Sequence, residues 1–129
     1  MRTASTIARY LMGLIFLVFG LNGFLHFLPM RTPEGNAGQF FGALYSSGYL
    51  NVIFACQLVP AVFLLINRYG PLALAVLGPV LVNIISFHAF MAPSGLPLAL
   101  FVAVLWFATF WGVRSAFAGV FQSRVSAKS

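Results

Sequence analysis

The stretch PLALAVLGPVLVNIISFHAFM, residues 71–91, decides the fold. It carries no charged side chain from end to end. A hydrocarbon core of about 30 Å takes roughly 20 apolar residues in helical form. Pro71 opens the run where a helix needs no N–H, in its first turn. Three further runs read the same way. Residues 7–28 are stopped by Pro29. Residues 49–66 are stopped by Asn67-Arg68-Tyr69-Gly70-Pro71. Residues 98–113 follow Pro93-Ser94-Gly95-Leu96-Pro97 and close at Arg114, with the helix expected to run on through Ala116 and Phe117. Backbone in lipid must satisfy itself, which leaves helices or closed barrels, and four spans cannot close a barrel. The sequence predicts an all-α integral membrane four-helix bundle, a single domain over 1–129.

Composition agrees. Of 129 residues 61% are hydrophobic and 6% charged, against about 25% charged in soluble domains. One acid, Glu34, stands against seven Lys and Arg, a net charge of +6. Eight charged side chains cannot coat a soluble globular enzyme of this size. A disordered chain and a disulfide scaffold are excluded as well. The basic residues stand singly and form no nucleic-acid patch. The first run is too long for a signal h-region and no Ala-x-Ala site follows it, so it reads as a permanent span.

Lys and Arg in short loops set orientation. Arg2, Arg9, Arg68, Arg114, Arg124 and Lys128 fall on one side and Arg31 alone on the other, which puts both termini in the cytoplasm. Tyr10, Tyr69 and Trp111 then mark the inner interface, Tyr45 and Tyr49 the outer one. The basic tail, 115–129, reads either as lying on anionic lipid or as a frayed, solvated end. The outer connection from Pro29 to Gly48 holds a helix signal of its own. Asn36 with Gln39 has the spacing of a capping box, and Phe40, Phe41, Leu44 and Tyr45 repeat at helical spacing. An amphipathic interfacial helix over about 37–46 is expected, as a lid or as an anchor.

Polar side chains inside spans are the informative positions. Asn22, His26, Gln57, Asn83, Ser86 and His88 concentrate in the outer half. Asn22 and His26, four apart, share a helix face. Asn83 and His88 stand about 140° apart on an ideal helix, and Asn83 is expected to be the inward one. Pro60, lacking an N–H, frees the carbonyl of Cys56 beside Gln57. Two readings stand: a polar pocket open to the outer face, with His26 and His88 bordering it beneath the 37–46 helix, or interhelical hydrogen bonds averaging about 0.6 kcal/mol each. Trp106 either stacks on a ligand or packs. Gly13, Gly20 and the series Ala108-x3-Gly112-x3-Ala116 read as packing faces. Ser86 and Thr109 are expected to bond back to their own helix carbonyls. The endings Asn22-x3-His26 and Asn83-x4-His88 suggest two related halves.

Cys56 is the lone cysteine, the chain has no Asp, and no phosphate loop or metal motif occurs. Any chemistry must use His, Asn, Gln and aromatic rings.

Four segments carry a family likeness. They are Phe19-Gly20-Leu21-Asn22-Gly23-Phe24, Gln39-Phe40-Phe41-Gly42-Ala43-Leu44, Leu64-Leu65-Ile66-Asn67-Arg68 and Asn83-x4-His88. With the four-span arrangement, they resemble the DoxX family of small bacterial membrane proteins, over about residues 7 to 113. Many members carry a Lys shortly after the Gly that ends span one, where this chain has Asn22-Gly23. The resemblance implies a bacterial inner-membrane protein, an accessory or quinone-interacting subunit acting with redox partner proteins. Asn22, His26 and His88 are the candidate donors to a quinone's carbonyls. A non-catalytic scaffold, chaperone or small-ligand carrier is the alternative. A haem b protein with His26 and His88 as axial ligands is a third reading.

Reporter fusions test the orientation. A fusion after Ser129 is expected to report cytoplasm and one within residues 32–37 the opposite side; a periplasmic signal from the C-terminal fusion overturns it.

Overall fold

A computed structural model describes residues 2–26 and 34–127. The expected stop at Pro29, the lone outer Arg31 and the tail's Lys128 lie outside the described residues. Five helices follow in order: α1 (Arg2–Leu25), α2 (Gly35–Ser47), α3 (Tyr49–Ile66), α4 (Gly70–Phe90) and α5 (Leu96–Gly112). No strand occurs among the described residues. Four of the helical segments are long and apolar enough to cross a membrane. Their bounds fall close to the four hydropathy runs, with α1 starting five residues earlier, at Arg2.

Two boundaries differ from expectation. α2 begins after Glu34, whose backbone is extended and whose side chain makes no capping bond, so Asn36 lies inside the helix and no capping box forms. α5 stops at Gly112 and does not run on as α-helix. A 3₁₀ turn over Arg114–Phe117 follows it. That turn returns the Phe117 ring to within 5.0 Å of Phe110 and buries it, so the first residues of the tail belong to the packed bundle.

The connections are tight for chemical reasons. Between α3 and α4 the chain reverses through Asn67 and Tyr69, both left-handed. Asn tolerates that conformation, and the Tyr69 ring is held 5.3 Å from Phe63. Pro71 then sits in the first turn of α4. Between α4 and α5 a 3₁₀ turn, Pro93–Gly95, makes the reversal.

α1 packs against α3 and α5, α3 against α4, and α4 against α5. The four form a ring of antiparallel neighbours with α1 and α4 at opposite corners. Three glycines bring α1 onto α3. A side chain at Gly13 would meet Leu65 and the Ala61 carbonyl, one at Gly20 would meet Leu58, and one at Gly23 would run into the Phe54 ring. Gly112 likewise admits Ser5 at the α1–α5 corner, where the Ser5 hydroxyl donates to the Thr109 carbonyl at 3.3 Å. The packing role read into Gly13, Gly20 and Gly112 is therefore what the structure shows.

The core sits toward the end that carries the termini: Met12 and Phe16 of α1, Ala61 and Leu64 of α3, Leu74 and Leu77 of α4, Leu105 of α5. Only 22–28% of each long apolar window is buried inside the molecule. Leu14, Val59, Val82, Val104 and Phe107 are among many large apolar side chains left on the outside. Helices apolar all round are those that bury themselves in a further apolar medium, and this exterior is consistent with contact to a lipid bilayer.

Gly20→Leu should wedge α1 away from α3. The expected loss is about 1–3 kcal/mol, typical of overpacking, measured by thermal unfolding in detergent. Gly42→Leu on α2, where nothing stands within 4 Å, should change little.

Candidate functional site

The end of the bundle opposite the termini holds a cavity of about 350 Å³, at the small end of the range for ligand pockets. Three elements build it. The close of α1 gives Gly23, Phe24 and His26; α2 gives Tyr45; Gly48 and the first turn of α3 give Leu50 and Asn51.

His26 reaches this cavity because α1 ends in an unusual way. Its backbone is left-handed, with φ 54°, while its N–H still bonds the Asn22 carbonyl at 2.8 Å. Histidine is enriched several-fold among non-glycine residues in that region, though few residues adopt it. The twist takes the side chain off the helix face that holds Asn22. Asn22 is buried and only 7% exposed, whereas His26 is exposed at the cavity mouth. The expectation that the two share a face is corrected by that single torsion. Gly48, with φ 82°, makes the matching sharp turn from α2 into α3, and its N–H closes on the Tyr45 carbonyl at 3.2 Å. Tyr45 and Asn51 complete the polar rim.

The rim therefore offers an imidazole, a phenol and an amide, all able to donate and to accept, with no acid among them. Apolar contact comes from Phe24, whose ring meets Phe54 edge-on at 6.3 Å. Asn22 of α1 and Gln57 of α3 are the buried amides of the helices on either side.

His88 lies apart from this cavity. Its Nδ1 stands 3.1 Å from the Ala92 carbonyl, and the ring rests over Gly95, where a Cβ would overlap it. A carbonyl only accepts, so that bond places the proton on Nδ1 in the neutral ring. His88 is not among the residues that line the cavity of His26, and the expected shared border is corrected. Asn83 is exposed on α4, so the inward member of the Asn83–His88 pair is the half-buried His88, the reverse of expectation.

Trp106 packs between α4 and α5. Its Nε1–H donates to the Leu74 carbonyl at 3.0 Å, its ring stacks on Phe110 at 5.4 Å, and the indole edge faces Gly78. Thr109 bonds back to Leu105 at 2.8 Å, as expected. Ser86 is exposed and makes no such bond among the described residues. α2 is docked across this end by Phe40 and Phe41, with ring centroids 5.7 and 5.0 Å from Phe87 of α4.

Tyr45 and Asn51 were not singled out by the sequence reading. Tyr45 read as an interfacial aromatic, and Asn51 stood in the first turn of a span. The available signal was Gly48, a glycine between two helices with a polar residue three places on. Searches for similar proteins gave no match among protein families, curated proteins or solved structures.

His88 and Gly95 should be energetically coupled. Gly95→Ala should displace the ring and destabilise the fold, and His88→Ala should remove most of that penalty. A double-mutant cycle by thermal unfolding is expected to give a coupling of at least about 0.5 kcal/mol; additivity would show that the ring does not rest on Gly95.

Proposed function

We propose that this chain is a multi-pass protein of a bacterial inner membrane, DoxX-like, with both termini in the cytoplasm. It acts as an accessory or quinone-interacting subunit alongside redox partner proteins. The cavity under His26 carries this reading. A quinone asks for hydrogen-bond donors to its carbonyls and an apolar edge for its ring. His26, Tyr45 and Asn51 meet the first requirement, and Phe24 with Leu50 meets the second. The cavity opens at the end of helices long and apolar enough to cross a membrane, where a lipid-soluble ligand's polar head would meet it.

The likeness in the four quoted segments supports the family reading, and the Asn22-Gly23 departure separates this chain from members with a Lys near that point. A ligand carrier without chemistry of its own is the second reading, favoured by a rim that holds no carboxylate and no cysteine. The haem reading loses its support, because His88 is bonded to Ala92 and absent from the cavity.

Decyl-ubiquinone added to the detergent-purified protein should raise the unfolding temperature. Ligand at a hundredfold excess over Kd adds about 2.7 kcal/mol. His26→Ala and Asn51→Ala, both at exposed positions, should leave the ligand-free temperature in place and shrink the rise. A wild-type protein that shows no rise at saturating quinone overturns the reading.

A further inference from the structure

Gln57 lies on the face of α3 turned to the middle of the bundle, 7% exposed, in line with buried Pro60, Ala61 and Leu64. None of the side-chain hydrogen bonds among the described residues involves its amide. Among those residues no wholly enclosed side-chain nitrogen or oxygen lacks a partner. The Gln57 amide is therefore not sealed in; it keeps an opening at least wide enough for a water molecule. An interhelical clip looks different, as the closed bond from Trp106 to Leu74 shows. One residue earlier, the Cys56 carbonyl has no helical donor, because Pro60 has no N–H. A donor and two acceptors thus gather at one level of α3.

The register between α1 and α3 ties this level to the cavity. Gly23 faces Phe54 and Gly20 faces Leu58, so Gln57 falls between the two contacts. Leu50, Phe54 and Gln57 share a face of α3, since seven residues turn the helix to within about 20° of two full turns. Leu50 and Gly23 line the cavity, and the Phe54 ring covers Gly23. Gln57 is thus one turn beyond Phe54 and about 10 Å along the axis from Leu50.

We propose that Gln57 is the inner end of the binding site that opens at His26, with the Phe54 ring as the movable partition between them. The ligand class is a flat apolar ring with hydrogen-bonding oxygens on opposite edges, a para-quinone. One oxygen meets the rim of His26 and Asn51 and the other meets the Gln57 amide. This rests on the quinone reading above and adds a specificity-determining residue to it.

The experiment compares wild type with Gln57→Leu and with the closer-shaped Gln57→Met, each titrated with decyl-ubiquinone and followed by thermal unfolding. Both variants should unfold, without ligand, at or above the wild-type temperature, because an amide with no protein partner has been removed. Both should bind the quinone at least tenfold more weakly. A ligand-free temperature that falls in both variants makes Gln57 an interhelical bond and overturns the proposal. So does unchanged affinity in a wild type that binds. A wild type that does not bind brings down the quinone reading itself, and this proposal with it.

Discussion

The approach of α1 to α3 is what the remaining packing depends on. Against lipid tails, side-chain burial gives little net drive for helix association, and close backbone contact has to supply it. Gly13, Gly20 and Gly23 lie along one edge of α1 and each receives part of α3. The contact is reinforced at the termini end, where Arg9 donates to the Leu64 carbonyl, which also accepts the capping N–H of Asn67 at 3.4 Å. With that pair fixed, Met12 and Phe16 point at the place where α4 and α5 complete the ring.

The two ends of the molecule are packed differently. Toward the termini the interior is filled by Met12, Leu64, Leu74 and Leu77, the largest fully buried side chains among the described residues. Its polar needs are met by short-range bonds from Ser5, Arg9, Trp106 and Thr109. Toward α2 the packing opens, and glycines at both ends of α2 take left-handed backbone. Close packing at one end holds the frame while the other end keeps an open cavity.

The helices were legible because hydropathy reports length and charge, and both are properties of a continuous run. The packing glycines were legible for a similar reason: a small residue at a regular interval on an apolar helix has few other uses. Side-chain direction at the helix ends was not legible. His26 and Asn22 stand four apart, which implies one face only while the helix continues, and one left-handed residue ends that rule. Asn83 was misjudged for a related reason. A polar residue in an apolar run invites an inward placement, yet which face turns inward is fixed by the neighbours, here α3 and α5. The cavity rim drew on three elements that periodicity treats one at a time.

The ring of helices closes at one corner that differs from the others. The α1–α3, α3–α4 and α4–α5 pairs each join consecutive spans, but the α1–α5 corner joins Ser5 to Thr109, 104 positions apart. The first three corners can form as each hairpin is completed. The last must wait until α5 exists, and Ser5, which Gly112 of α5 admits, has no neighbour at this corner until then. Ordering a long segment costs entropy before its contacts repay it, so this corner sets the final step of assembly. Phe117, tucked in behind Phe110, acts after that step as a latch on the finished ring.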